Sequence, residues 1–463
     1  MDPFRRRPWA AETMTSRDDN NAYNVALSQT HVFGSSVVHE VRVGVNSLRT
    51  NKQPLGRGSP NQDFGLRVDA SEAVEGLARL NFPGTLTYAP LGEFQFNPND
   101  KTAGTFQFLD NLTVVRGFHT MKGGGDLRWI RSDTVGAQFA RGVFTFNGRF
   151  TGSSFADFLL GMTSSRQVST IQRGNLRERD YMFYVQDDWR AGRRLTINLG
   201  LRYELASPKF DTLDRMSALD SAAFPDIRVI RAGEESRSWS DRALVRTDTN
   251  NWAPRLGFAF QPASLWTVRA AAGLFYGMPR GAGPATHLLN NWPVSREVTV
   301  PSTRTRSAGQ LADGIDSSVL ESTTGMPANL AWRIWSPNFS TPTITQWNVS
   351  LQRQLARSWV ATTSYVGSSS RHLPRVYNVN AAGPGDAATE GQRRMIPALG
   401  SITVTDAAGS ASYHGLETTI DKRLSGGIQG SLSYTWSHSI DDVTEASGCR
   451  RHAGQPGLAE PPW

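Results

Sequence analysis

Trp266-Thr-Val-Arg-Ala-Ala-Ala-Gly-Leu-Phe-Tyr276 alternates over its whole length. Trp266, Val268, Ala270, Ala272, Leu274 and Tyr276 fall on one side, and Thr267, Arg269, Ala271 and Gly273 on the other. A two-residue repeat marks a β-strand with one apolar and one polar face, because successive side chains leave a pleated backbone in opposite directions. From Trp266 to Tyr276 the strand would span about 33 Å at roughly 3.3 Å per residue. Tilted by ~40–45°, it would rise about 24 Å, close to the ~25 Å apolar band of a membrane barrel. An aromatic residue stands at each end, where the two interfaces would lie.

The same period recurs along the chain. It is clear in Arg194–Tyr203 and Ile428–Trp436, and noisier in Tyr23–Thr30, Val37–Val45, Thr105–Val115, His119–Trp129, Tyr181–Trp189, Trp252–Phe260, Gln346–Leu355, Trp359–Gly367 and Tyr413–Arg423. No convincing helix exceeds two or three turns. Neighbouring runs are joined by short links at Val32–Ser36, Arg116–Phe118, Arg190–Arg193, Gln261–Leu265, Ala356–Ser358 and Leu424–Gly427. Between these hairpins lie long irregular stretches: Leu48–Gly104, Ile130–Asp180 (with a weak hairpin expected around Gly142–Arg149), Leu205–Asn251, Gly277–Thr345 and Ser368–Ser412. Several loops beyond ~15 residues would be unusual in a compact soluble domain. They are expected of an outer-membrane barrel, with short periplasmic turns and long extracellular loops. A soluble β-sandwich would explain the alternation but not this asymmetry. The polar faces carry Thr, Ser, Asn, Gln, Gly and Arg with little Lys or Glu, which suits a hydrated lumen rather than a sheet facing bulk water.

Composition agrees. The 463 residues are 38% hydrophobic and 19% charged, with 13 Trp, 10 Tyr and 22 Phe. That aromatic content argues against disorder. Mean hydropathy is −0.40, and the most apolar stretch, around Phe155–Met162, is far shorter than the ~20 residues of a spanning helix. Cys449 is the single cysteine, so no disulfide framework exists. The net charge of +8 comes from 49 basic residues, of which only Lys52, Lys101, Lys122, Lys209 and Lys422 are lysine. The arginines are spread along the chain and usually lie near Asp or Glu, as in Arg177-Glu-Arg-Asp180. That pattern argues against a nucleic-acid partner.

Catalytic and metal-binding patterns are weak, and none supports an enzyme. His-Glu-x-x-His, zinc-type Cys/His spacing and the Gly-x-Ser-x-Gly elbow are missing. His39, His119, His414 and His438 lie in or beside strands and read as wall or girdle histidines. Gly123–Gly125 after Lys122 precedes a strand and reads as a flexible or closely packed strand segment. Asp187-Asp188 and Asp441-Asp442 would point to opposite faces of a strand, so neither pair flanks one glycosidic bond. Asp18-Asp-Asn-Asn21 lacks the glycine and distal Glu of an EF-hand loop. Catalytic, cofactor and metal residues are therefore none, and ligand-binding residues cannot be read from the sequence.

An ordered set of short motifs resembles the barrel region of Oar-like TonB-dependent outer-membrane receptors. It comprises Phe155-Ala-Asp-Phe-Leu-Leu-Gly161, Tyr184-Val-Gln-Asp-Asp-Trp189, Leu195–Glu204, Asn251–Phe260, Val268–Tyr276, Ser336–Pro342, Gln346–Leu355, Ser364–Ser368, Tyr413–Glu417 and Ser433–Asp442. The resemblance covers roughly residues 20–447. It implies a receptor or transporter in the cell outer membrane, with a 22-stranded barrel, a plug, and coupling to TonB–ExbB–ExbD in the full-length member. Against that pattern the chain reads as a partial all-β antiparallel barrel of about 12–14 strands, with Met1 starting inside the barrel region. Residues 1–19 are expected to be an irregular extension, 20–447 the partial barrel and 448–463 an aberrant or disordered tail. Arg5–Arg7 precede Pro8-Trp9 rather than an apolar signal segment, and Pro461-Pro462 before Trp463 do not suit a terminal strand. The expected function is binding and uptake of an unidentified small-molecule, glycan or peptide ligand through extracellular loops, with outer-membrane lipid as a partner and no cofactor. The alternatives are a non-transporting surface or adhesion protein, and a soluble secreted carbohydrate-binding module.

Overall fold

The structure is a computed structural model describing residues 16–54, 60–68, 76–83, 88–94, 99–136, 139–277, 287–303, 306–315, 320, 325–385 and 387–443. The expectations for Arg5–Arg7, the 448–463 tail, Cys449 and Trp463 lie outside these residues. Each of the twelve alternating runs is a strand, and each is at least as long as its sequence pattern. They are β1 Ser16–Phe33, β2 Val37–Pro54, β3 Asn99–Arg116, β4 His119–Gly136, β5 Gln172–Gly192 and β6 Leu195–Ala206. The series continues with β7 Trp252–Ala263, β8 Trp266–Tyr276, β9 Thr343–Ala356, β10 Trp359–Asn378, β11 Ile402–Ser425 and β12 Ile428–Asp441. Each pairs antiparallel with the next in the chain, from β1 to β12. The short pieces Phe210–Asp211 and Trp332–Trp335 join the same sheet, which then has 14 strands. Among the described residues β1 and β12 have one neighbour each.

All six tight links gather at one rim of this meander. Two-residue hairpins favour left-handed backbone at both positions, and Gly426 and Gly427, at φ 62° and 78°, supply it between β11 and β12. Register then holds the two faces apart. One rung reads Leu27, Val43, Phe108, Leu127 and Tyr181 across β1 to β5. A luminal rung reads Gln186, Gly200, Arg255, Gly273, Gln346, Ser368 and Tyr413 across β5 to β11. A slip of one residue in any pair would exchange these faces.

Among the described residues, none covers the apolar face. Leu27, Leu432 and Trp436 are 72%, 70% and 69% exposed, far more contiguous apolar surface than a soluble monomer shows. Aromatic residues bound the band at two levels. Phe33, Phe118, Trp189, Trp266 and Trp359 stand at the short-turn rim. At the other level Trp129 packs on Phe106 and Trp252 on Tyr203, with ring centroids 5.4 and 4.6 Å apart. There Tyr203 Oη donates to the Thr249 carbonyl (2.9 Å) and Tyr276 Oη to that of Trp252 (3.2 Å). Rings with one wet and one greasy end belong at such a boundary. On the apolar face Trp347 lies across Gly367, where an added Cβ would meet the indole at 2.4 Å.

The long connections correct the sequence reading. They are folded, and they hold the protein's buried core. Four short strands from three different connections, Glu297–Pro301, Ser165–Ser169, Val143–Thr145 and Arg79–Asn81, form a second sheet in that order. Instead of a hairpin at Gly142–Arg149, Val143–Thr145 pairs parallel with Arg79–Asn81 and antiparallel with Ser165–Ser169. Leu80, Phe82, Phe144, Phe146 and Val168 form its core, with Phe82 stacked on Phe146 at 5.7 Å. A second core joins Met216, Leu219, Leu288, Leu289, Trp332 and Leu399 to Leu176 of β5 and Ile402 of β11. Leu176 shares the luminal parity of β5. The long strands thus run past the apolar band to become the walls on which this cap packs.

The fold predicts opposite responses on the two faces. Leu256→Arg, in mid-band, should cost about 2–4 kcal/mol, whereas Asn348→Arg on the luminal face should cost under ~0.5 kcal/mol. Equilibrium urea unfolding in lipid vesicles measures both; equal costs would contradict the assignment of faces.

Candidate functional site

The luminal wall below the cap is the strongest candidate for a ligand path. Its polar residues come from the same alternation that sends apolar ones outward, so each strand contributes a column of them. Neighbouring columns are cross-linked by hydrogen bonds. Gln107 Nε2 donates to Asp126 Oδ1 at 2.8 Å, and Arg128 holds the same carboxylate at 2.6 Å. Tyr184 Oη donates to Asn111 Oδ1 at 2.7 Å. Asp188 accepts from Asn198 Nδ2 at 2.6 Å and lies 3.7 Å from Lys122 Nζ. Arg202 pairs with Glu204 at 2.6 Å. Paired charges of this kind give a wall that water and polar solutes can wet without leaving ions uncompensated.

Within that wall a concavity of about 620 Å³ is lined by Asp188, Asn198, Arg255, Gln346, Asn348 and Tyr413. Gly200, Gly257 and Gly273 form part of its floor. Arg255 lies over the Phe275 ring at 4.4 Å, which fixes the guanidinium without neutralising it. The donors and acceptors in this recess suit hydroxyl, amide or carboxylate groups on a solute. No group of three or more His, Cys, Asp or Glu is gathered among the described residues.

The residues singled out from the sequence settle as follows. Asp187 and Asp188 do face opposite ways: Asp187 accepts from His119 at 2.6 Å on the apolar side, while Asp188 faces the lumen. His119 also stacks on Trp189 with ring centroids 5.6 Å apart. His39 pairs with Asp110 at 2.8 Å, and His414 with Tyr365 Oη at 2.8 Å. His438 sits opposite His414. All four are wall histidines. Gly124 is closely packed, since a Cβ there would meet the Asp110 carbonyl at 2.3 Å and Asn111 Oδ1 at 2.6 Å. Asp18 pairs with Lys52 (3.2 Å) and Asp19 with Arg17. Asp442 accepts from the Ser410 amide (2.6 Å) and hydroxyl. These carboxylates are thus tied to separate partners. The Phe155–Gly161 motif forms the short helix Ser154–Leu159, capped by Ser153 Oγ. Asp157, fully buried, accepts from the Thr151 amide and hydroxyl at 2.9 and 2.7 Å.

The sequence reading missed the ion network that pins the cap to the wall. Asp211, fully buried, accepts from Arg215 at two oxygens (2.9 Å each) and from the Asn175 amide at 2.6 Å. Burial alone would raise the Asp211 pKa, but the bonds from Arg215 and the Asn175 and Arg215 amides outweigh it and hold the carboxyl below its usual range. Beside it, Arg242 bonds Asp214 at 2.6 Å and lies over Phe210. Elsewhere in the cap, burial draws Arg141 down to about 10, with Glu93 opposing. The only sequence signal was Asp211-x-x-x-Arg215 in a stretch without period.

Comparison with known proteins places this geometry. The family described as "Outer membrane beta barrel domain" matches residues 2–457. No curated protein matches. Among solved structures, the outer membrane transporter YddB from Escherichia coli is 12% identical, with 93% of this chain and 44% of that one covered and a TM-score of 0.52. The siderophore receptor PirA from Acinetobacter baumannii is 10% identical over 91% and 44%, TM-score 0.44. The ferric yersiniabactin uptake receptor FyuA from Yersinia pestis is 6% identical over 92% and 43%, TM-score 0.44. The chain spans less than half the length of these proteins. The likeness to YddB bears on fold alone.

The Asp211 network gives a pH prediction. Its folded pKa is depressed, so its stabilisation is complete above the unfolded value of about 3.9 and is lost as pH falls through the folded value. Hydrogen exchange over residues 210–219 should therefore be unchanged from pH 7 to 5 and rise below about pH 4, after correction for intrinsic rates. Asp211→Ala at pH 7 should reproduce the low-pH pattern at a cost of about 3 kcal/mol, because it strands Arg215.

Proposed function

The chain belongs to the outer membrane β-barrel domain family, and on that premise we propose that it is barrel wall and cap of an Oar-like TonB-dependent receptor. Its place is the outer membrane. The short turns face the periplasm and the cap faces outward. Ligand is caught at the cap and passes along the polar luminal wall. The plug and the segment that meets TonB–ExbB–ExbD belong to the full-length receptor, which draws on the inner-membrane proton gradient to open the path. The observation that carries this reading is the hydrogen-bonded luminal wall with a recess at Asp188, Asn198, Arg255 and Gln346. The wall's polar residues bind and orient the ligand.

A second reading has its own support. The cap is packed well enough to act as a fixed recognition surface, which would serve a non-transporting surface or adhesion protein on the same barrel. A soluble carbohydrate-binding module is set aside by the uncovered apolar face and by family membership.

Uptake separates the two. Cells expressing the full-length receptor would be given a panel of fluorescent peptides, oligosaccharides and ferric siderophores. Accumulation of at least one probe that falls to background when tonB is deleted is the expected result. Entry that persists without TonB would overturn energised import, and surface binding without entry would favour adhesion.

A further inference from the structure

The net charge of +8 is unevenly placed in the fold. Between the strand ends, the six tight turns and their three flanking strand residues hold Arg116, Arg190, Arg193, Arg194, Arg357 and Arg423; the nearby carboxylates Asp187 and Asp188 are tied to His119 and Asn198. Six arginines therefore stand at one rim. Like Arg269 and Arg371 elsewhere in the fold, they have little to bind. Arg194 donates to the Pro262 carbonyl at 3.2 Å. The other five are exposed and make no ion pair or side-chain hydrogen bond among the described residues. Toward the cap, several arginines are paired instead: Arg177, Arg215, Arg242 and Arg375 each hold a carboxylate within 2.6–2.9 Å. Five bare guanidiniums at one edge of an apolar band need an external anion.

That anion is further specified by where the rim sits. Arg116 lies on the apolar face opposite His119, and Arg193 and Arg357 lie in the turns themselves. The rim stands level with Phe118, Trp189, Trp266 and Trp359, where phospholipid headgroups meet the hydrocarbon. Directly above Arg116 on that face lies a groove of about 520 Å³. Gly123 and Gly125 are its floor, and Leu112, Met121, Phe183 and Val185 are among its walls. Register puts Val114 opposite Met121 and Arg116 opposite His119, so the rim cation is the next rung below the groove's lower end. Asp110, which also lines the groove, is held by His39, so a mainly apolar channel ending at a cation remains, which matches an acyl chain followed by a phosphate.

We propose that the short-turn rim binds anionic phospholipid of the leaflet it faces, and that the groove over Gly123 and Gly125 seats one acyl chain while Arg116, Arg190 and Arg193 hold its headgroup. An acidic periplasmic protein would satisfy the charge but not the groove.

The test uses the purified full chain in nanodiscs of phosphatidylglycerol and phosphatidylcholine, with retained lipid read by native mass spectrometry after delipidation. The wild type should retain phosphatidylglycerol preferentially. Each neutralised rim arginine should weaken that preference about fivefold, equivalent to ~1 kcal/mol. The triple variant R116Q/R190Q/R193Q should lose it. Gly123→Leu fills the groove without altering charge and should reduce lipid retained per protein. Arg237→Gln, a 77% exposed arginine of the cap, should behave as wild type. Heat-modifiable migration would verify that each variant is folded. No preference in the wild type, or equal retention by the triple variant, would overturn the proposal. So would displacement of the lipid by millimolar inorganic phosphate, which would mean a simple anion site.

Discussion

Hydrocarbon offers no hydrogen bonds, so every backbone amide and carbonyl crossing the membrane must be paired by the protein itself. The rest of this structure follows from that constraint. A meander satisfies it with the shortest links, because each strand finds its partner in the next segment of chain. Eleven consecutive antiparallel ladders, β1 through β12, do this here. Once the ladders are in register, side-chain parity separates the environments. Leu199, Leu256, Ala272 and Trp347 form one apolar rung, while Gln186, Arg255, Gln346 and Tyr413 project the other way. The sheet needs no core of its own; lipid takes that part.

The core is displaced to the cap instead. There the backbone meets water and the usual rule for soluble proteins returns: Phe144, Phe146, Met216, Leu288 and Trp332 are essentially fully buried. The charges follow the same division. Several cap arginines hold carboxylates such as Asp211 and Asp214, luminal Arg128 and Arg202 hold Asp126 and Glu204, and, among the described residues, five arginines with no ion pair or side-chain hydrogen bond stand at the turns. One chain thus carries a greasy belt, a wet wall, a packed roof and a cationic rim, all set by depth along the strands.

The membrane-spanning part was legible in the sequence because long strands repeat their signal. Trp266–Tyr276 gives five alternations, enough to fix type, face and end points, and all twelve runs and six turns stand where the pattern put them. The cap was not legible. Its strands are three to five residues long, too short for a period to show. Their partners are also far away, as Ser165–Ser169 with Glu297–Pro301. The expected hairpin at Gly142–Arg149 failed for that reason: a turn signal was present, but the better partner for Val143–Thr145 lay at Arg79–Asn81. In the candidate site, individual polar residues were visible, yet which of them meet depends on register between strands. Arg255 and Gln346 lie 91 positions apart and still line one recess. The rim charge was hidden likewise, since arginines near acids in sequence need not be near them in space.

Alternation between lipid and water is the claim from which the rest descends, and spin labels test it most directly. Single cysteine substitutions at each position from Thr267 to Phe275, in a Cys449→Ser background and reconstituted in vesicles, would be probed with oxygen and a water-soluble nickel chelate. The account predicts that labels at Val268, Ala270, Ala272 and Leu274 relax with oxygen. Those at Thr267, Arg269, Ala271, Gly273 and Phe275 should relax with nickel. A profile without the two-residue period, or with both reagents favouring the same positions, would contradict it.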